Sequence, residues 1–163
     1  MLPNTVEEMS AQTTIYSKNL PLMRARTQAG YDALVKQPLV DAGRIALIGY
    51  CFGGAVGVEF GSTGAPLAAN VSIHGSFRNH AEGWAKNAKG MFLILHGAED
   101  QGYPLTTVDK VVQELRGAKV PFQLEVYSQT GHGFSSPKGK AEERANAQSI
   151  ASTARTLKEL FGS

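Results

Sequence analysis

Residues 44–54 read RIALIGYCFGG, in which six uncharged residues follow Arg44 and lead to the only cysteine of the chain and then to two glycines. A nearly continuous apolar run is typical of a strand covered on both faces of a parallel sheet. Gly49, Cys51 and Gly53 fit the pattern G-x-C-x-G, which is the cysteine form of the nucleophile elbow. In such a tight strand-to-helix turn the side chains two residues either side of the nucleophile must be minimal. The stretch therefore predicts a strand, a sharp turn that presents Cys51, and a helix over residues 52–60.

Three further stretches are predicted as strands, and helical patterns alternate with them. The four predicted strands cover residues 44–50, 68–75, 91–97 and 121–127. The last strand alternates apolar and polar side chains, which suits a position near the edge of the sheet. This order of elements predicts an α/β fold with a mainly parallel sheet of about four strands flanked by helices. We expect a single domain over residues 1–163.

Apolar periodicity locates the helices. Residues 104–116 place apolar side chains at i, i+3, i+4 and i+7, a single stripe of Val108, Val111, Val112 and Leu115. The C-terminal stretch predicts a similar stripe of Ile150, Ala154, Leu157 and Phe161. A further helix is expected over residues 20–36, with Pro21 in its first turn. Residues 1–18 are expected to form either a frayed helix or an arm.

Composition excludes several classes of function. Hydrophobic residues make up 42% and charged residues 18% of the 163 residues, which is typical of a globular protein. A net charge of +2, with both signs spread along the chain, gives no reason to expect a nucleic-acid partner or an anionic membrane surface. No apolar run approaches the roughly 20 residues that span a bilayer. The N-terminus carries no signal-peptide pattern, and one cysteine forms no internal disulfide, so we expect a cytoplasmic protein.

Cys51 has two interpretations. A cysteine between a strand and two glycines can be a small buried hydrophobe, and for an isolated G-x-C-x-G that is at least as common. Here the motif has a strong strand before it, a helical pattern after it and a further glycine, Gly54, which lets helix and sheet approach closely. A sulfur at the N-terminus of the following helix is favoured as a thiolate. We therefore expect a nucleophile.

The loops that follow the later strands contain candidate partners for Cys51. Ligands bind beyond the carboxyl ends of parallel strands, and an α/β-hydrolase triad runs nucleophile, acid, histidine along the chain. The third predicted strand is followed by HGAEDQGYP, which offers Asp100 and, as a weaker alternative, Glu99. The fourth is followed by SQTGHGF, which offers His132. Asp100 could equally cap the turn that leads into the next helix.

The other histidines are given plainer roles. His74 and His96 each stand before a glycine at the end of a predicted strand, where they either line the rim of the site or hydrogen-bond beneath its loops. His80 lies in no clear motif. No metal site is expected, because the sequence contains neither an i, i+4 histidine pair nor a local Cys/His cluster.

The motif blocks RIALIGYCFGG, VSIHGSF, LILHGAEDQGYP and GHGFSSP, in this order, resemble the dienelactone hydrolase family, the carboxymethylenebutenolidase-like branch of the α/β hydrolases. The resemblance runs from about Leu20 to the C-terminus and implies a partial α/β-hydrolase fold. It implies that Cys51 is the nucleophile, Asp100 the acid and His132 the base, and that the backbone N–H of Phe52 is an oxyanion donor. It also implies hydrolysis of a small-molecule ester or lactone through a thioester, without a cofactor.

The sequence departs from the family pattern in two places. Family members usually carry further strands and helices before the region equivalent to Leu20. Those segments supply a second oxyanion N–H, a glutamate beside the resting thiol and an arginine for the substrate carboxylate. A second arginine that follows the histidine in those enzymes is replaced here by the serines of HGFSSP. Nothing in the sequence therefore indicates dienelactone itself as the substrate.

Without the early strands, the strand over residues 44–50 exposes a flat apolar edge that invites pairing. We expect a homo-oligomer, or an N-terminal arm, to cover it. Two rival functions stay open. One is a shortened, inactive module that keeps the triad but acts in ligand binding or assembly. The other is a thiol-based redox protein, which is weakened by the lack of a second cysteine.

Overall fold

The computed structural model describes residues 3–78 and 80–162. It divides into two compact units, Met1–Val40 and Asp41–Ser163, so the single domain expected from the sequence stays a prediction. The first unit contains helices α1 (Val6–Lys18) and α2 (Leu20–Val35). A capping box starts α1, because Thr5 accepts from the Glu8 N–H while the Glu8 carboxylate accepts from the Thr5 N–H. The predicted arm or frayed helix is thus a capped helix.

The second unit is built on a four-stranded parallel sheet. Its strands are β1 (Ala46–Tyr50), β2 (Ala69–Ile73), β3 (Met91–Gly97) and β4 (Phe122–Tyr127). They lie side by side in chain order, and all three pairs are parallel. The predicted α/β fold is confirmed. Each carboxyl end therefore lies at the same edge of the sheet, where the loops carrying Cys51, Asp100 and His132 emerge.

Helices cover both faces of this sheet. They are α3 (Phe52–Gly61), α4 (Leu105–Gly117) and α5 (Lys140–Phe161). The alternation of β3 divides the core, since Phe92 and Ile94 pack with α4 on one face while Leu93 and Leu95 pack towards α5 on the other. The stripe predicted for α4 is confirmed, because Val108, Val111 and Leu115 are buried.

The stripe predicted for α5 is wrong. Ile150 is 54% exposed, and the buried positions of the helix are Ala145, Ser149, Ser152 and Thr156. Small side chains allow the helix to lie close to the sheet, and Ser152 donates a 2.6 Å hydrogen bond to the Glu125 carboxylate on β4. Helix periodicity read from apolar residues alone misses a face that packs through alanine and hydroxyl groups.

The two outer strands differ. The alternation of β4 correctly indicated an edge strand. β1 is the opposite edge, as expected above, and pairs only with β2 within the described residues. The prediction that both of its faces are covered is wrong, because side chains on one face are exposed. Ile48 and Tyr50 are 44% and 48% exposed. The sequence of β1 is apolar, but one of its two faces is partly exposed.

Candidate active site

Cys51 occupies a strained turn between β1 and α3. Its φ of 54° and ψ of −120° lie in a region that side-chain-bearing residues rarely adopt. Backbone hydrogen bonds hold the turn, since Cys51 N–H donates to the Ile73 carbonyl at 3.1 Å and the Cys51 carbonyl accepts from the Ser76 N–H at 2.9 Å. The thiol is exposed. The predicted nucleophile elbow is therefore present in its backbone geometry.

The glycines around Cys51 do not all serve the same purpose. A Cβ on Gly49 would lie 2.1 Å from the Gly53 carbonyl carbon, so position 49 accepts only glycine. A Cβ on Gly53 would meet nothing within 4 Å, so the expectation that position 53 must be minimal is wrong. Gly54 is needed for close packing, because its Cβ would lie 2.3 Å from Ser72 Oγ and 2.8 Å from the Gly75 Cα. The contact of helix with sheet at Gly54 agrees with the sequence prediction.

The three predicted side chains meet beyond the carboxyl ends of the strands. His132 follows β4, and its Nε2 lies 2.9 Å from Cys51 Sγ. Asp100 follows β3, and its Oδ2 lies 2.8 Å from His132 Nδ1. Asp100 is fully enclosed as a side chain, whereas that of His132 is 31% exposed. A buried carboxylate thus orients an imidazole whose other nitrogen faces an accessible thiol.

The two carboxylate oxygens of Asp100 make different contacts. Oδ1 accepts from the backbone N–H groups of Gly102 and Tyr103 at 3.0 and 2.9 Å, which closes the turn that leads to α4. Oδ2 is left for His132. The alternative acid, Glu99, has an exposed side chain, and no contact joins its carboxylate to His132 among the described residues.

The pKa values of Cys51 and His132 move in opposite directions. The hydrogen bond from His132 is the main reason that the pKa of Cys51 falls from 9.0 to about 5, and His74 acts in the same direction. The hydrogen bond to Cys51 likewise raises the pKa of His132 from 6.5 to about 9, with further support from Asp100. Burial opposes both shifts. At neutral pH the pair is a thiolate beside an imidazolium.

Phe52 begins α3 directly after the thiol. An N–H at the first position of a helix has no acceptor within that helix, and it lies at the positive end of the helix dipole. It therefore remains available to an anion that forms next to Cys51.

His74 is the main residue whose importance the sequence did not indicate. It directly follows β2 with a φ of 41°, is 3% exposed, and places its ring between those of His132 and Phe134, at 5.2 and 5.0 Å between centroids. Its Nε2 lies 2.7 Å from Ser135 Oγ, while its Nδ1 is buried without a hydrogen-bond partner in the described part of the chain. A strained, buried histidine at a strand end would have been the signal, and neither property is visible in a sequence.

His96 supports the loop that carries Asp100. It is fully buried, its ring stacks with that of Phe77, and its Nε2 donates to the Tyr103 carbonyl at 2.8 Å. Burial lowers the pKa of His96, which keeps the imidazole neutral. Tyr103 in turn places its ring 5.3 Å from that of His132 and accepts from Arg78 at 3.3 Å. The rim of the site thus carries an exposed guanidinium.

The ligating atoms of Cys51, His74 and His132 all lie within 4.8 Å of one another. The fourth histidine, His80, lies outside this cluster, and its Nδ1 is 2.7 Å from the carboxylate of the buried Glu59.

None of the described helices combines the length and the apolar character that a bilayer crossing needs.

Comparison with known proteins places these residues in a family. The model of the dienelactone hydrolase family matches residues 3–162. A dienelactone hydrolase-like promiscuous phosphotriesterase from metagenomic libraries is 33% identical, with a TM-score of 0.88 over 96% of this chain and 69% of that one. A structure named m3DLH is 30% identical, also with a TM-score of 0.88, over 98% of this chain and 70% of that one.

A curated relative from Rattus norvegicus, named carboxymethylenebutenolidase homolog, is 30% identical over 57% of this chain and 38% of its own length. Across three further curated relatives the chain spans between 35% and 52% of their length. The two solved structures therefore match almost all of this chain, whereas the chain spans only part of the length of each curated relative.

Proposed function

The chain belongs to the dienelactone hydrolase family, and on that premise we propose that it hydrolyses a small carboxylic ester or lactone with Cys51 as nucleophile, His132 as base and Asp100 as the acid that orients the base. The observation that carries the proposal is the hydrogen-bonded line of these three residues. Asp100 Oδ2, His132 Nδ1, His132 Nε2 and Cys51 Sγ follow one another with gaps of 2.8 and 2.9 Å across the ring. No cofactor is required by this chemistry.

The first half of the reaction forms a thioester. The Cys51 thiolate attacks the substrate carbonyl, and the backbone N–H of Phe52 donates to the oxygen that becomes negative. The tetrahedral intermediate then expels the alkoxide, which takes the proton from His132 Nε2. Asp100 keeps the His132 Nδ1 proton in place throughout, so that Nε2 is the nitrogen that gives and receives.

The second half releases the acid. His132, now neutral, takes a proton from water through Nε2, and the water oxygen attacks the thioester carbonyl. Collapse of this second intermediate breaks the carbon–sulfur bond and returns the thiolate, with the carboxylic acid as product. Access for water is supported by the exposure of the thiol and of part of the His132 ring.

A p-nitrophenyl acetate assay with Cys51→Ala tests the proposal. We expect the wild-type chain to turn over and the variant to lose turnover, because no other thiol exists to replace the nucleophile. Alkylation of the wild-type thiol should abolish activity in parallel. A wild-type chain that alkylates rapidly at low pH but never turns over would favour the inactive binding or assembly module, which the family membership makes the weaker candidate.

Phosphotriester hydrolysis is a second candidate. It is favoured by the 33% identity, over 96% of this chain, to a relative named as a promiscuous phosphotriesterase. The same thiolate would attack phosphorus and expel an alkoxide or phenolate, which takes its proton from His132. In the second step, water would attack phosphorus and release the thiolate. Assaying paraoxon beside p-nitrophenyl acetate, with Cys51→Ala in both, distinguishes the two reactions.

The exposed edge supports a homo-oligomer. In the part of the chain that the structure describes, β1 pairs only with β2 and carries the exposed side chains of Ile48 and Tyr50, and such an edge pairs readily with a second copy. Sedimentation velocity at several concentrations tests this, and a concentration-independent monomer would contradict it. A cytoplasmic setting is supported by the need of the proposed reaction for a reduced thiol.

A further inference from the structure

We propose that Cys51, His74 and His132 together bind a thiophilic divalent cation such as Zn²⁺, and that the bound ion switches the hydrolase off. The binding half of this inference is independent of the proposed function, whereas the inhibition half rests on it. One sulfur and two imidazole nitrogens are the donors that zinc prefers in proteins.

The distances are close to those a metal would impose. The three ligating atoms lie within 4.8 Å of one another, and the pair formed by Cys51 Sγ and His132 Nε2 is separated by 2.9 Å. With Zn–S and Zn–N bonds of about 2.3 and 2.0 Å, tetrahedral ligands are separated by roughly 3.5 Å. Side-chain rotations that move the donor atoms by about 1 Å would therefore let all three bind one ion.

His74 is what makes this more than a reactive cysteine beside its base. Its Nδ1 is buried and makes no hydrogen bond of ordinary geometry among the described residues, while the ring lies close enough to Cys51 to act on the thiol. Its backbone is held at a φ of 41°, a strained conformation that surrounding contacts must maintain. As a metal ligand, Nδ1 would gain the partner that the described residues do not provide.

Each histidine also has its second nitrogen anchored, as in metal sites where an outer hydrogen bond fixes the ligand. Asp100 Oδ2 lies 2.8 Å from His132 Nδ1, and Ser135 Oγ lies 2.7 Å from His74 Nε2. These contacts orient both rings and leave His132 Nε2 and His74 Nδ1 for the ion. The exposed thiol provides a route of entry, and a water would complete the tetrahedron.

Inhibition follows from the choice of ligands. The sulfur that attacks the carbonyl and the nitrogen that protonates the leaving group would both be occupied by the ion. On binding, the proton carried by His132 Nε2 passes to the solvent, while the Nδ1 proton stays in the hydrogen bond to Asp100. No bond of the protein breaks, so a chelator should restore the hydrolase fully.

The test measures binding directly, by titrating Zn²⁺ against a chromophoric chelator. The wild-type chain should bind one equivalent, and His74→Asn should weaken the affinity by more than about tenfold, since losing even an outer partner of a metal ligand costs that much. Asparagine is chosen because it tolerates left-handed backbone. Cys51→Ser should weaken binding further, and His80→Gln, a histidine outside the cluster, should leave the affinity unchanged. Thermal melts establish that each variant is folded.

Cobalt provides a second readout that does not depend on activity. The wild-type chain with Co²⁺ should show a thiolate-to-metal charge-transfer band and intense tetrahedral ligand-field bands. The first should vanish in Cys51→Ser, and the second should weaken in His74→Asn. Equal zinc affinity in the wild type and a folded His74→Asn, or cobalt spectra without a thiolate band, would overturn the site.

Inhibition is then assayed with p-nitrophenyl acetate in zinc buffers, followed by addition of EDTA. We expect loss of turnover at the zinc concentration that fills the site, and recovery with the chelator. Turnover that persists with one equivalent bound would overturn the inhibitory role. Absence of any turnover without zinc would instead count against the proposed hydrolase and leave the binding result as it stands.

Discussion

Asp100 and His132 are 32 residues apart in the chain, yet Asp100 Oδ2 lies 2.8 Å from His132 Nδ1. The buried carboxylate carries out two tasks, because its other oxygen closes the loop at Gly102 and Tyr103. Asp100 therefore links the shape of the loop to the orientation of the imidazole.

Replacing Asp100 by Asn should lower kcat/KM by about 10²–10⁴-fold, the usual range for loss of a general acid–base contribution. An amide nitrogen facing Nδ1 favours the tautomer that places the imidazole proton on Nε2. The matched control is Glu99→Gln, since Glu99 is the adjacent acid and its side chain is exposed. Steady-state assays of both variants check the prediction. A similar loss in the two variants would contradict the assignment of Asp100.

The pH dependence should be bell-shaped. The pKa of Cys51 is lowered to about 5 and that of His132 is raised to about 9, so the thiolate–imidazolium pair exists between these values. Below the lower limit the thiolate is protonated, and above the upper limit the imidazolium loses the proton that the leaving group needs. Plots of kcat/KM against pH should fall on both sides, the two limits belonging to the pair as a whole.

Thiol alkylation tests whether His132 lowers the pKa of Cys51. In the wild type, the rate of reaction with iodoacetamide should stay high down to about pH 5, as the lowered pKa of Cys51 requires. In His132→Gln the midpoint should move upwards, towards the ordinary pKa of a thiol, because the largest cause of the shift has been removed. An unchanged midpoint would mean that another group stabilises the thiolate.

The elbow glycines differ in a way that stability measurements can detect. Gly49→Ala should destabilise the fold by at least about 1–3 kcal/mol, because a methyl group would overlap backbone atoms of Gly53 at 2.1 Å. Gly53→Ala should be neutral or stabilising by up to about 1 kcal/mol, since its site is open and alanine favours helix. Denaturant unfolding of both variants is the measurement. Equal losses would contradict the steric argument.

Helix α5 offers a test of the packing face that periodicity missed. Ser152→Leu should cost about 1–3 kcal/mol, because the side chain is 4% exposed and its hydroxyl bonds the Glu125 carboxylate. Ile150→Ala should cost less than about 0.5 kcal/mol, as expected of a surface position. Thermal unfolding of the two variants compares them. A larger loss from the isoleucine would restore the stripe predicted from sequence.

Particular residues show how much of the site the sequence predicted. Asp100 and His132 were predicted because parallel strands bring their following loops to one edge, so chain order alone indicated which loops to search. Asp100 was already preferred to Glu99, and the structure adds the reason, because the turn directs Asp100 inwards to His132 and leaves Glu99 exposed. His74 was given only a role at the rim of the site or beneath its loops, since a strand-end histidine reveals neither its burial nor its unpartnered nitrogen.

What the sequence by itself determined is the local order: an apolar run, a tight turn at Gly49 and Cys51, and strands that alternate with helices. These follow from backbone sterics and from periodicity, which act between near neighbours in the chain. Tertiary structure alone decided that α5 packs through alanine and serine, and that Cys51, His74 and His132 converge within 4.8 Å. Such relationships depend on distances between residues that are far apart in the chain, and only the packed sheet sets them.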